Sequence, residues 1–141
     1  MKMNKQQKEY AAAKALVMVI EDKIANIEAA YIKEHNIVNA DGSTPKMVCG
    51  IIDDEDAFNT ANEEVSDIID SQGLSKDLAE AKETLRIAED ALIDFGLSTI
   101  PSAIRSEKLD KFIRTNYTQR QKFLDITFKM DVSSIPKNLK F

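Results

Sequence analysis

The chain has 141 residues, 43% of them hydrophobic and 30% charged, with a formal net charge of −5. That balance describes a globular chain able to bury a core without staples, and the sparse Gly, Pro and Trp favour an all-α fold. One cysteine rules out an internal disulfide framework, one histidine rules out a His cluster or Ser-His-Asp triad, and four isolated glycines rule out a Gly-rich phosphate loop.

The first element is a helical pattern from Asn4 to about His35, without Gly or Pro. Its centre, Ala15-Leu16-Val17-Met18-Val19-Ile20, is apolar on every side, and the stripe continues through Ile24, Ile27 and Tyr31. Such a helix is expected to be the spine of a bundle, covered on several sides. The basic start and the apolar run Ala11–Ile20 do not make a signal peptide, because Lys14 interrupts the run, Glu21-Asp22 follows and no cleavage site ends it. No stretch approaches the ~20 apolar residues of a membrane span, so a cytoplasmic protein without membrane partners is expected.

His35-Asn36 reads as the helix end, with His35 favoured there by the helix dipole. Residues 37–52 read as a turn at Asn39–Ser43 followed by a packed apolar loop, Lys46 to Ile52, with Cys49 as a buried structural thiol. The second helix opens at Asp53 and presents Phe58, Ala61, Val65, Ile68 and Gln72 as its seam, with Ile69 widening the face, until Gly73 stops it. Ser75 is expected to cap a third helix carrying Leu78, Ala81, Leu85, Ala88, Leu92 and Phe95, ended by Gly96. Two heptad helices on so short a turn predict an antiparallel αα-hairpin. Ser98–Pro101 starts the last helical region, whose inner face is marked by Ile104, Leu109, Phe112, Ile113, Tyr117, Phe123, Leu124, Thr127, Phe128 and Met130. Asn116-x-x-Gln119 predicts a fresh cap that splits this region into two helices.

The expected fold is therefore all-α: an antiparallel bundle of four to five helices in one domain over 1–132, with a long N-terminal helix, a central hairpin and an extended arm at 133–141. Surplus apolar surface at Ala11–Ile20 predicts a partner helix.

Charge is unevenly laid out, at +1 over residues 1–35, −11 over 36–104 and +5 over 105–141. Between Asp53 and Asp70 stand eight carboxylates, Asp53, Asp54, Glu55, Asp56, Glu63, Glu64, Asp67 and Asp70, with no Lys or Arg. Such a face offers a contact for a protein partner, including mimicry of a phosphate backbone toward a nucleic-acid-binding protein. The later Arg105, Lys108, Lys111 and Arg114, followed by Arg120 and Lys122, form the opposite surface. They are expected to pair with the acidic hairpin, or to contact a protein partner; direct nucleic-acid binding is not expected, since no known motif accompanies them.

Glu64-x-x-Asp67 and Asp77-x-x-Glu80 are also weak candidates for holding a divalent metal, because acids three apart share a helix side. Here Glu63-Glu64-Val65-Ser66-Asp67-Ile68-Ile69 loosely resembles the all-α nucleoside-triphosphate pyrophosphohydrolases. That resemblance implies a metal-dependent nucleotide hydrolase with E-x-x-E and E-x-x-D motifs on neighbouring helices. The order of the acids departs from that pattern, and the gap from Asp67 to Asp77 is short. The leading expectation is a non-enzymatic interaction or assembly module, self-associating and without a cofactor.

Overall fold

A computed structural model describes residues 3–101 and 106–129, which form five α-helices, a single 3-10 turn and no strand. The helices are α1 (Lys5–Glu34), α2 (Glu55–Ser71), α3 (Leu74–Ser98), α4 (Glu107–Thr115) and α5 (Tyr117–Lys129). No helix among the described residues is long and apolar enough to cross a membrane. The arm at 133–141 lies outside the described residues, as do Arg105, Ile104 and Met130. Packing gathers into two compact units, one of residues 15–82 and one of residues up to 14 together with those from 83 onward.

In the 15–82 unit, α1 buries Val17, Ile20, Tyr31 and Ile32. It ends where Asn36 takes φ 51°. The amide of Ile37 reaches back to the Ile32 carbonyl at 3.1 Å and that of Asn36 to Lys33 at 3.2 Å, the paired bonds of a Schellman stop. The loop beyond is an ordered structure built on Asn39. Its amide donates to the Ser43 carbonyl at 2.9 Å, and its side-chain amide donates to the Gly50 carbonyl at 3.1 Å. This folds the 3-10 turn Val48–Gly50 inward, and Val48 and Ile51 join Tyr31, Ala61 and Val65 in one apolar cluster.

Asp54 is the N-cap of α2, accepting from the Ala57 amide at 3.0 Å. Asp53, expected to open the helix, instead accepts from the Ala40 amide at 3.0 Å. The seam of α2 runs through Phe58, Ala61, Val65 and Ile69; Ile68 is turned outward, because the strict heptad overshoots a straight 3.6-residue helix. Gly73 takes φ +70° and ends the turn after α2, as expected. Ser75 does not cap α3. The helix has already begun at Leu74, and the Ser75 hydroxyl donates to Asp70 at 2.7 Å.

The other unit centres on Leu92, Ile93 and Leu97 of α3, Ile113 of α4, Phe123 and Leu124 of α5, and Tyr10 of α1. Asn4 and Gln7 form a reciprocal box at the start of α1: the Gln7 amide donates to Asn4 Oδ1 at 2.8 Å, and the Asn4 amide to Gln7 Oε1 at 2.9 Å. The other end of the same Gln7 side chain donates to the carbonyls of Thr127 (2.9 Å) and Phe128 (3.3 Å) in the last turn of α5. One buried amide thus satisfies groups left open at a helix start and a helix end. Asn116 divides α4 from α5 as predicted, its side chain accepting from the Gln119 amide at 3.1 Å.

Three further expectations are corrected. Pro101 belongs to no helix, and α4 starts only at Glu107, capped by Ser106. Tyr117 and Phe112, read as inward, are 77% and 40% exposed. Gly96 does not end α3, which runs on to Ser98; it is where α5 comes closest. A Cβ there would stand 2.7 Å from Thr127 Cγ2 and 2.8 Å from the Phe123 ring. Alanine ordinarily gains up to ~1 kcal/mol over glycine inside a helix. Here Gly96→Ala is expected to destabilise by about 1–3 kcal/mol through overpacking, measured as a lower urea midpoint with unchanged slope.

Candidate interaction surfaces

The middle of α1 is covered on one side only. With Ala13, Val17 and Ile20 buried, helical geometry turns the intervening residues outward. Leu16 stands 49% exposed, Met18 56% and Val19 50%. Ala12 and Ala15 are exposed beside them. The expectation of cover on several sides is therefore not met by the chain itself. By helical bearing Val19 stands about 60° from Leu16 and about 100° from Met18, so the three spread over the outward half of α1, where their exposed apolar area is unfavourable in water.

The eight carboxylates from Asp53 to Asp70 are all exposed, but they divide into two groups. Asp53, Asp54, Glu64 and Asp70 accept hydrogen bonds from Ala40, Ala57, Tyr31 and Ser75 respectively, so they serve the local fold. Glu55, Asp56, Glu63 and Asp67 have no hydrogen bond or ion pair among the described residues. By helical bearing, Asp56, Glu63, Asp67 and Asp70 fall within about 60° on the side of α2 opposite its seam.

Tyr31 holds one edge of this surface. Its hydroxyl donates to Glu64 Oε2, and its ring lies flat against His35 at 3.9 Å between centroids, while His35 Nδ1 contacts the Tyr31 carbonyl at 2.9 Å. Beside them is a shallow depression of about 390 Å³, lined by Ile37, Asp54, Asp56, Ala57 and Thr60. The phenol is pushed from 10.0 up to about 12, first by the bond to the Glu64 carboxylate, then by burial and by the Glu64 charge. His35 stands one residue beyond α1 and is structural in this arrangement.

The weak metal candidates are not brought together. Glu64, Asp67, Asp77 and Glu80 are all exposed, and among the described residues no group of three His, Cys, Asp or Glu side chains could hold a metal ion. Cys49 is exposed rather than buried: Val48 takes the inward position of the 3-10 turn, and Cys49 follows it outward.

Two of the described basic residues, Arg114 and Arg120, pair within their own unit. Arg120, with its side chain 18% exposed, reaches Glu89 at 3.4 Å and Asp90 at 2.9 Å. Arg114 pairs with Asp94, and Arg86 of α3 joins Glu83 and Asp90 at 2.6 and 3.1 Å. The acids that meet Arg114 and Arg120 belong to the later half of α3, not to the eight between Asp53 and Asp70. Lys108 and Lys111 remain exposed, flanking a shallow apolar depression of about 580 Å³ over Leu109, Phe112 and Thr115.

Compared with family models, curated proteins and solved structures, the chain matches none at a significant level.

Two features escaped the sequence reading. Gln7 was legible as the last residue of Asn4-x-x-Gln7, a capping-box spacing ahead of an apolar run. The Tyr31–Glu64 bond joins residues 33 apart, and no local pattern announces it.

Because the phenol binds its proton more tightly when folded, its stabilising contribution is complete below about pH 10 and is lost as pH rises toward 12. Followed by NMR of the ring, Tyr31 is expected to titrate with a midpoint of about 12, and Glu64→Gln to move that midpoint back toward 10. An unchanged midpoint in Glu64→Gln contradicts the assigned cause.

Proposed function

We propose that this protein is a non-enzymatic helical interaction or assembly module that self-associates through the outer face of α1. The observation that carries the reading is the trio Leu16, Met18 and Val19, each about half exposed within an apolar run of six residues. A second copy of the same face is itself apolar, so joining two copies removes both from water at once. The finer architecture belongs to the same reading: an antiparallel bundle, with α2 and α3 as its central hairpin and a partner helix completing it.

The arrangement of α2 favours a second reading, as an acidic mimic that occupies the basic groove of a nucleic-acid-binding protein. Asp56, Glu63, Asp67 and Asp70 share one side of α2 over fourteen residue steps, about 21 Å at ~1.5 Å per step, a row of like charge of the kind a nucleic-acid backbone presents. Binding of such a partner is expected to weaken steeply with salt and to fall in Asp56→Asn/Glu63→Gln/Asp67→Asn. Capture that is indifferent to both contradicts it. A nucleotide-hydrolysing enzyme draws no support from the acid geometry described above.

Sedimentation equilibrium over a wide concentration range tests the leading reading. The expected result is a mass rising from monomer toward dimer, with Val19→Lys remaining monomeric at unchanged helix content. A monomer mass at every concentration contradicts self-association.

A further inference from the structure

We infer that the second copy packs its α1 antiparallel against α1, with the two-fold axis passing at Ala15. This rests on the self-association reading and fixes its geometry. Residues seven apart on an α-helix return to within about 20° of the same bearing. Lys8, Ala15 and Asp22 therefore stand in line along α1, and all three are exposed. The side chains of Lys8 and Asp22 make no hydrogen bond or ion pair among the described residues. Between them the line is apolar, carried by Ala11 and Val19 on either side of Ala15 and by Met18.

A cation one heptad before a small residue, and an anion one heptad after it, complement a copy of themselves in one orientation. Antiparallel pairing about Ala15 sets Lys8 against Asp22 of the partner subunit, and Asp22 against Lys8 of the partner subunit. Parallel pairing in register sets like charge on like and is disfavoured. The antiparallel register also sets large side chains against small ones. Val19 meets Ala11 of the partner subunit and Met18 meets Ala12 of the partner subunit, with Ala15 on the axis. Small residues at the crossing bring the helices toward the close end of the 8–10 Å range, which lets Met18 and Val19 of both copies close over the contact. The charged ends lie about 21 Å apart on each helix, so a slip by one turn breaks both ion pairs.

The test uses the full chain with Cys49→Ser, which removes the exposed native thiol. Ala15→Cys in that background is expected to form a covalent dimer under mild oxidation, whereas Lys8→Cys does not, its copies being held about 21 Å apart. Lys8→Asp and Asp22→Lys are each expected to weaken the dimer about tenfold or more, and their combination to restore it. A dimer that fails to crosslink through Ala15→Cys, or crosslinks equally through Lys8→Cys, overturns the register while leaving self-association standing. A monomer at every concentration overturns both.

Discussion

The unbroken hydrogen-bond ladder of α1 is the constraint on which the rest of this structure depends. A helix of thirty residues fixes the bearing of every side chain it carries, whatever those side chains prefer. Tyr10, Ala13, Val17, Ile20 and Tyr31 fall on its buried side, and through them α1 contributes to both apolar clusters. The same geometry leaves no inward position for Leu16, Met18 or Val19. Six consecutive apolar residues cannot all be covered by neighbours on one side of a helix. Their exposure is thus a consequence of helix geometry combined with apolar composition, and the proposed self-association rests on this surplus.

Polar groups at the helix ends restrict where chain segments can go. Gln7 joins the start of α1 to the last turn of α5, and Asn39 holds the loop whose Val48 and Ile51 pack with Tyr31. Gly96 removes the side chain that would keep α5 away from α3. Charge follows a similar division of labour. Arg114 and Arg120 are engaged by Asp94, Glu89 and Asp90, and half of the acids near α2 are engaged by amides and hydroxyls. Charges without such local engagement include those on the outer side of α2, Lys8 and Asp22 on α1, and Lys108 and Lys111 on α4.

Much of this was legible from local pattern. The extent of α1, the stops at Asn36 and Gly73, and the break at Asn116 each follow from residue types that act on their own backbone neighbours. What was misread depended on distant neighbours or on a small angular drift. Gly96 has the composition of a helix stop, yet it is required by Phe123 and Thr127, which approach from another helix. Ile68 fits a strict heptad, but a straight helix rotates it out and leaves Ile69, expected only to widen the face, as the seam residue. Cys49 and Tyr117 were placed inward on hydrophobic character alone, which says nothing about which neighbour in a short turn wins the buried position. The candidate surfaces were visible as charge blocks. Which acids were spare was not, because the partners of Asp53 and Glu64 lie 13 and 33 residues away.

Self-association requires that a second molecule cover the outer face of α1. The most direct measurement is solvent paramagnetic relaxation at the methyl groups of Met18 and Val19, recorded while the protein is concentrated. Strong relaxation is expected in dilute solution, fading as concentration rises, while the methyls of exposed Ile52 and Ile87 stay fully accessible. Equal accessibility of all four residues at every concentration would contradict self-association through this face.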